Sequence, residues 1–290
     1  MKTVASVSGS LLDLLQLLVP GASRRTLRQM LSQGRVSVNG ELCSLAARRI
    51  QSGDVVEIGA RRAPARLPGG LDILFEDNDI LIVHKPAGLL TVATEDERER
   101  TAYFHLRQYL QERSRRQRLF IVHRLDKYAS GVLVFAKSAN VKAVLQGIFS
   151  RHEIERKYWA IVEGVVPKSR GTIRSRLAED KSLRMHSTND ATRGKTAITH
   201  FRVLRRHNKL TALEVTLETG RKNQIRTHLS EMGHPIAGDR AYGSTCDPLG
   251  RLGLHAFQLG FRHPVTGEPL LFQTLPPPEF RKYLGLTGGK

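Results

Sequence analysis

The chain is poor in cysteine, with Cys43 and Cys246 the only two among 290 residues. No CxxC pair and no Cys/His cluster with zinc spacing is present, so neither a disulfide framework nor a zinc site is expected. Phosphate-binding glycine patterns such as GxGxxG and GxxxxGKS are also missing. Two isolated cysteines are typical of a reduced compartment, which favours a cytoplasmic protein.

Long apolar runs are missing as well. The stretch "LLDLLQLLVP", residues 11–20, is interrupted by Asp13 and Gln16 and has helical periodicity. This pattern favours a packed helix over a signal peptide. No other segment is long enough to span a membrane, so a membrane is not an expected partner.

Acidic residues are scarce relative to basic ones. The chain has 46 Lys plus Arg against 27 Asp plus Glu, a formal net charge of +19. Such an excess indicates a polyanionic partner, and nucleic acid is the commonest one. The alternative from charge alone is a basic protein that adheres to phosphate without specificity.

Two short helices are predicted near the N-terminus. The first covers residues 11–19. Ser23 is well placed to cap a second helix over residues 24–33, which Gly34 would close. The second helix puts apolar residues on one face and three arginines on another, Arg24, Arg25 and Arg28.

A hairpin is predicted to follow these helices. "RVSVNGE" contains an Asn39–Gly40 turn, and "GDVVEI" predicts a further strand over residues 54–58. Together with "SRRTLRQMLSQGRVSVNGE", these stretches resemble the S4 RNA-binding domain over roughly residues 8–60. The resemblance implies that the hairpin and the arginine helix bind structured RNA. A solvated basic helix face is the alternative.

The remaining chain has a different pattern. Residues 61–70, rich in Arg, Pro and Gly, are predicted to be a linker between a module over residues 1–60 and a domain over residues 71–290. In that domain short strands outnumber helices, and "TAITHFRVLRR" with "KLTALEVTLETG" predicts a hairpin. The sequence therefore predicts an α+β domain on a central mixed, mostly antiparallel sheet, plus a small N-terminal α/β module.

One carboxylate lies between two apolar runs. "LFIVHRLDKYASGVLVFAKS", residues 119–138, places Asp126 where it either ties down a turn or does chemistry. Three further stretches accompany it, "HKPAG", "RKYWAIVEG" and "LETGRKNQIRTHLSEMGHPIAGDRAYG". In this order they resemble the RluA family of pseudouridine synthases, over about residues 72–280. The tail "LHAFQLGFRHPVTGEPLLF" fits the same pattern.

The resemblance implies a reaction and the residues that perform it. A uridine in RNA is detached from its ribose at N1, turned, and rejoined through C5, with Asp126 as the nucleophile or ribose-side catalyst. The resemblance also implies that no cofactor and no metal ion is needed, which agrees with the missing metal clusters. Arg226, the second arginine of "GRKNQIR", is expected to hold that carboxylate ionised with two hydrogen bonds. Tyr158 is expected to stack on the base and to assist proton transfer from C5. Arg124 is expected to fill the gap that the extruded uridine leaves, and Arg221 to contact RNA.

Several residues are expected to stay outside the chemistry. His123, His228 and His234 have no ligand spacing and are predicted to pack or to form hydrogen bonds. Three positions depart from the family's pattern, and none is expected to touch Asp126, Tyr158 or Arg226, so they bear on substrate identity and rate more than on reaction type. They are Ala129, Arg156 and Asn223.

The resemblance favours large-subunit (23S-type) rRNA as substrate, with tRNA second, and we expect a monomer. A non-catalytic RNA-binding or ribosome-assembly factor is the alternative from another class. A glycosidase-like hydrolase is a weaker one, because such enzymes usually need two catalytic carboxylates, and no second acid accompanies Asp126 inside a motif.

Overall fold

The computed structural model of the chain describes residues 1–6, 8–32, 35–43, 46–59, 65–190 and 192–286. The N-terminal module contains two helices packed beside short strands. Strands β1, β6, β3 and β4 form an antiparallel sheet in that order, and β2 pairs with β5. The elements are β1 (Lys2–Val4), β2 (Gly9–Ser10), α1 (Leu11–Leu18), α2 (Arg24–Ser32), β3 (Val36–Val38), β4 (Glu41–Leu42), β5 (Arg49–Ile50) and β6 (Val55–Ile58).

Local signals in this module act as predicted. The hydroxyl of Ser23 accepts a hydrogen bond from the Thr26 amide at 3.1 Å, which caps α2. Asn39 and Gly40 both have positive φ, 54° and 84°, as a two-residue hairpin turn requires. Gly34, the predicted closing residue of α2, lies outside the described residues.

The rest of the chain forms a large mixed sheet with helices on its faces. Its elements are β7 (Ala65–Leu67), β8 (Leu71–Glu76), β9 (Ile80–Lys85), α3 (Ala102–Arg113), β10 (Phe120–Ile121), β11 (Ser130–Ala136), α4 (Ala139–Ser150), β12 (Glu155–Glu163), β13 (Arg170–Glu179), β14 (Met185–Ser187), β15 (Lys195–His207), β16 (Leu210–Leu217), α5 (Gln224–Glu231), β17 (Leu254–Arg262), β18 (Pro269–Gln273) and α6 (Pro278–Leu284).

The strand order is β14-β13-β15-β16-β12-β17-β11-β9-β8-β7, with β10 paired to β11 and β18 to β17. Within the described residues, β11 and β17 are the parallel neighbours, and the other pairs are antiparallel. The predicted α+β class with a mixed, mostly antiparallel sheet is confirmed. The predicted hairpin is formed by β15 and β16, and it turns at Asn208, whose φ is 54°.

Part of the predicted linker belongs to the sheet. Residues 65–67 pair with residues 71–73 as an edge strand. The chain reverses between them through Gly69 and Gly70, whose φ values are both 73°. The linker prediction over residues 61–70 is therefore wrong for β7, because a three-residue strand is too short to show periodicity and is held by its pairing with β8.

The core lies on both faces of the sheet. Alternate residues of β9 point to opposite sides: Leu81 and Val83 pack with α3 and α5, and Ile80 and Ile82 pack with α4. A strand covered on both faces reads as a continuous apolar run, which explains "DILIV". None of the helices that the structure describes has the length and apolar character needed to cross a membrane.

The N-terminal module rests on the large sheet. Helix α2 lies against β18. The carboxylate of Glu268, in the turn between β17 and β18, accepts hydrogen bonds from the amides of Ala46 at 2.9 Å and Ala47 at 2.6 Å. One acidic side chain thus joins the two regions.

Candidate active site

Asp126 lies in the loop between β10 and β11, and the residues on each side of it are fixed. The Thr91 hydroxyl donates to the Leu125 carbonyl at 2.7 Å and accepts from the Leu125 amide at 3.2 Å. The Lys127 carbonyl accepts a hydrogen bond from the Gly88 amide at 2.9 Å. The side chain of Asp126 stays 25% exposed, so a held backbone presents a reachable carboxylate.

The side chain of Lys85 is hydrogen-bonded to this loop. The residue is fully buried, and its Nζ donates to three carbonyl oxygens, those of Pro86, Leu89 and Lys127, at 2.7 to 3.1 Å. Burial is the main cause that lowers the pKa of Lys85 to about 7, while the charge of Asp126 acts in the opposite direction. The "HKPAG" motif thus ties the turn after β9 to the loop that carries Asp126.

Arg226 reaches Asp126 from α5, a hundred residues further along the chain. Its Nη1 lies 3.4 Å from Oδ2 of Asp126, and its side chain is 16% exposed. The predicted meeting of the two residues is present. The expected pair of hydrogen bonds is not, because a single long contact joins them.

Asp239 holds the guanidinium in the way that had been expected of Asp126. Arg226 donates Nε to Oδ2 of Asp239 at 2.7 Å and Nη2 to Oδ1 at 2.8 Å. The Asp239 side chain is 2% exposed, so this fork-to-fork pair is shielded from water. Burial lowers the pKa of Arg226, but the hydrogen bonds and charge of Asp239 outweigh it, and the net shift is upward.

Asn223 and Tyr242 complete the surroundings of the guanidinium. Nη1 of Arg226 also donates to Oδ1 of Asn223 at 3.2 Å, and the Tyr242 ring lies 4.6 Å from the guanidinium carbon. The Asn223 amide donates to the Tyr242 hydroxyl at 3.1 Å. The expectation that the departure at Asn223 does not touch Arg226 is therefore wrong, since the two side chains are in direct contact.

Tyr158 lies on β12 with 7% of its surface exposed, inside the main core cluster. Burial raises the pKa of Tyr158, partly offset by the charge of Arg156, while Asp126 raises it further. The departure at Arg156 thus does affect Tyr158. Among the described residues no group forms a hydrogen bond with the Tyr158 hydroxyl. The phenol is protonated at neutral pH.

The predicted RNA-contacting arginines lie on the surface where the structure describes them. Arg124 is exposed beside Asp126, and Arg221 is exposed, with Nε donating to the Thr196 carbonyl at 3.0 Å. Arg24 and Arg28 are exposed on α2, and Arg24 pairs with Asp13 at 2.5 Å. The side chain of Arg25 lies outside the described part of the chain.

The histidines of the prediction form hydrogen bonds. His123 Nε2 accepts from the Val134 amide at 3.2 Å, and burial lowers the pKa of His123 to about 3. His228 contacts the hydroxyls of Ser175 and Thr199 at 3.0 and 2.8 Å. His234 Nδ1 lies 2.8 Å from the Glu163 carbonyl.

One group in the described residues has the composition of a metal site. Polar atoms of Asp77, Asp79 and His263 lie within 4.8 Å of one another. His263 Nδ1 accepts from two backbone amides, and its Nε2 lies 3.0 Å from Asp77. Both ring nitrogens are therefore engaged, and the other Asp77 oxygen accepts the amides of Asp79 and Ile80. The group organises two turns.

Asp239 is the residue that sequence reasoning missed. It occurs within the quoted "GDRAYG" stretch, in the loop after α5, but no role was assigned to it. An acid thirteen positions after Arg226 has no helical relation to it, so only the fold brings the two together. The glycine before it, Gly238, is the one sequence signal that could have drawn attention to this turn. A Cβ at Gly238 would lie 2.5 Å from the Arg251 carbonyl oxygen, so the turn that carries Asp239 is tightly packed.

Comparison with known proteins assigns this fold to the class of the pseudouridine synthases. The structure resembles the human protein "RNA Pseudouridylate Synthase Domain Containing 4" with a TM-score of 0.61 and 25% identity, over 73% of this chain and 92% of that one. A family model described as RNA pseudouridylate synthase matches residues 79–231, and one for the S4 domain matches residues 11–56.

Sequence relatives agree. An uncharacterized RNA pseudouridine synthase of Bacillus subtilis, YhcT, is 38% identical over 85% of this chain and 83% of its own length. The ribosomal large subunit pseudouridine synthase D of Neisseria meningitidis serogroup A is 34% identical over 92% of this chain and 76% of its own. The chain belongs to the RNA pseudouridylate synthase family and carries an S4 domain at its N-terminus. It is an isomerase that acts on RNA.

Proposed function

We propose that this pseudouridine synthase modifies large-subunit (23S) ribosomal RNA, with Asp126 as its catalytic carboxylate. The substrate assignment draws on relatives that are named ribosomal large subunit pseudouridine synthases and that align with most of this chain. The S4 domain and the net charge of +19 suit a large structured RNA.

The observation that carries the catalytic assignment is the weak pairing of Asp126. Arg226 donates Nε and Nη2 to Asp239, and its Nη1 contacts Asp126 at 3.4 Å. A carboxylate held by two short charged hydrogen bonds would lose much of its reactivity, because its lone pairs would already be shared. One long contact keeps a positive charge nearby and leaves the oxygens of Asp126 available to a uridine.

The isomerisation needs three events that these groups can serve. The bond between ribose C1′ and N1 breaks, the base turns, and a bond between C1′ and C5 forms. The C5 hydrogen then leaves as a proton and N1 gains one, so the product has the same atoms as the substrate. Asp126 acts as the nucleophile or on the ribose side, and Arg226 balances its charge.

Tyr158 takes a role suited to a neutral phenol. The raised pKa keeps its hydroxyl protonated, so it serves as a hydrogen-bond donor or proton relay near C5 and not as a free phenolate base. The residue is 7% exposed and belongs to the main core cluster, and its ring is proposed to stack on the target base.

RNA is gripped by cations at two places. Arg124, exposed beside Asp126, is free to enter the gap left by the extruded uridine. Arg24, Arg25 and Arg28 on α2 contact phosphates, and Arg221 contacts the strand near the cleft.

Mapping of pseudouridine by carbodiimide chemistry in total RNA tests this proposal. Cells that lack the gene are compared with cells that carry the wild-type chain or Asp126→Asn. We expect one or more 23S positions to lose the modification in the first and third strains. Loss at tRNA positions instead would overturn the substrate, and full modification in the Asp126→Asn strain would overturn the catalytic role.

A further inference from the structure

Arg156, on β12, is a buried cation without a carboxylate partner. The residue is 6% exposed. Its one hydrogen bond to the described residues runs from Nη2 to the main-chain oxygen of Glu218 at 3.1 Å, and its Nε is buried without an acceptor there. Burial lowers the pKa of Arg156, which reflects how poorly this position suits a positive charge. A charge in such surroundings requires an anion to offset its lost hydration.

Three acidic residues lie close to Arg156 in the chain or supply its acceptor, and their carboxylates bond to other side chains. Each carboxylate lies 2.6 to 2.8 Å from a nitrogen of its own partner. None of these contacts includes Arg156. The chain itself, in its described residues, therefore offers no counterion. The pairs are Glu153 with Arg151, Glu155 with Lys157 and Glu218 with His200.

Arg156 lines a cavity of about 380 Å³ between the end of α4 and the loop after β16. Arg221 lines the same cavity, so two guanidinium groups border it. The volume falls within the range of ligand pockets, roughly 300 to 1,000 Å³. Gly220 leaves room for the guanidinium of Arg156, since a Cβ at this position would lie only 2.4 Å from Nη1.

The cavity lies close to the surroundings of Asp126. Arg156 and Tyr158, two residues apart on β12, are near enough for each to act on the pKa of the other, and Asp126 acts on the pKa of Tyr158 as well. His123, three residues before Asp126, stacks near Phe149, and the guanidinium of Arg156 lies 5.4 Å from the same ring. The low pKa of His123, about 3, makes it neutral, so it adds no charge of either sign to the cavity.

We propose that this cavity binds a backbone phosphate of the RNA strand beside the uridine that enters the Asp126 cleft, with Arg156 as its buried partner and Arg221 at its rim. The placement beside the reacting uridine rests on the proposed role of Asp126. The anion site itself does not, because it follows from the unpaired guanidinium. RNA supplies the missing counterion, and Arg156 contributes binding energy while costing stability in the free protein.

The first test compares Arg156→Met with Arg151→Met in the full-length protein. Both variants lose one positive charge, but Arg151 is exposed and paired with Glu153. We expect Arg156→Met to bind RNA about tenfold more weakly, with a salt slope smaller by about 0.7 to 0.9, and to melt at the same or a higher temperature. Arg151→Met should bind as wild type does. Equal affinity and slope in the two variants would overturn the proposal.

A second test locates the phosphate. Single methylphosphonate linkages, which are uncharged, replace each phosphate around the target uridine in turn. At one linkage, the substitution should weaken binding to the wild type about tenfold. The same substitution should leave the affinity of Arg156→Met unchanged. Gly220→Ala, which displaces the guanidinium without removing it, should show the same insensitivity and replaces Arg156→Met if that variant does not fold. Equal losses at every linkage in wild type and variant would refute the site.

Inorganic phosphate tests whether the cavity binds a free anion and not an RNA phosphate. A rise in the wild-type melting temperature with phosphate, combined with no Arg156-dependent linkage in the scan, would assign the cavity to free phosphate and overturn the RNA assignment. These readouts measure binding and not turnover. Failure of the Asp126 assignment would instead appear as retained activity in Asp126→Asn, so the two outcomes are distinguishable.

Discussion

The S4 module and the synthase region carry their positive charge in different ways. On α2 of the module, Arg24 and Arg28 are exposed, and Arg24 forms an ion pair with the exposed Asp13. In the synthase region, Arg226 and Arg156 are largely buried, and each has a defined neighbour. Exposed cations act through the number of phosphates that they neutralise, whereas a buried cation acts on one group at a fixed place, a carboxylate for Arg226 and the proposed phosphate for Arg156.

The difference teaches how substitutions should behave. Removing a charge from α2 should weaken binding to all RNAs and leave turnover unchanged. Removing a group around Arg226 should leave binding nearly unchanged and slow turnover. An α2 variant that slows turnover, or a variant around Arg226 that weakens binding, would show that the two regions share binding and catalysis.

Asp126→Asn should have the largest effect. The amide keeps the shape of the side chain but loses the charge and the nucleophilic oxygen pair, so turnover should fall by roughly 10⁵-fold or more. RNA affinity should stay close to that of wild type, because Asp126 contacts no cation other than Arg226 among the described residues. Single-turnover assays and filter binding on one RNA give both numbers, and residual activity above one part in a thousand would contradict the assignment.

Asp239→Asn should come second. The amide retains one acceptor for Arg226 but loses the paired fork, so the guanidinium can swing away from Asp126. A displacement of about 1 Å costs roughly 10²-fold in kcat with little change in KM. Asp247→Asn, an exposed acid in the same region, is the matched control. If Asp239 served the fold alone, its variant would melt earlier but the folded fraction would turn over at the wild-type rate.

Local signals made much of the fold predictable. Asn39–Gly40 specifies its turn by backbone chemistry alone, and Ser23 caps its helix through one hydroxyl. The meeting of Asp126 and Arg226 was predicted from a family resemblance, since no local rule joins residues a hundred positions apart. Strand β7 escaped prediction because its pairing with β8 decides its conformation.

The details of the site could not be read from the sequence for a related reason. Asp239 and Asn223 compete with Asp126 for the donors of Arg226, and only their positions in space show which acid wins two bonds. In the sequence, Arg156 stands out only as a departure from the family's pattern. Its lack of a counterion emerges when every nearby acid is found to be paired elsewhere.

Arg24→Gln combined with Arg28→Gln should have a moderate effect that depends on salt. Two lost phosphate contacts should reduce the slope of log K against log salt by about 1.4 to 1.8. Turnover at saturating RNA should not change. Arg98→Gln with Arg100→Gln removes two exposed charges from a loop of the synthase region and serves as the control. Equal slopes for both double variants would show that α2 has no special part in binding.

Glu268→Gln should have the smallest effect, and it tests whether the two regions move as one. Oε2 of Glu268 accepts from the Ala46 amide and Oε1 from the Ala47 amide, so the variant keeps an acceptor for one amide and turns an NH2 group towards the other. One hydrogen bond should be weakened and the other lost. We expect hydrogen exchange at these two amides to accelerate by roughly tenfold, with turnover unchanged. Glu112→Gln, exposed on α3, is the control. Unchanged exchange would mean that the packing of α2 against β18 holds the module in place without Glu268. The arginines of α2 would then keep their position relative to Asp126 in the variant as well.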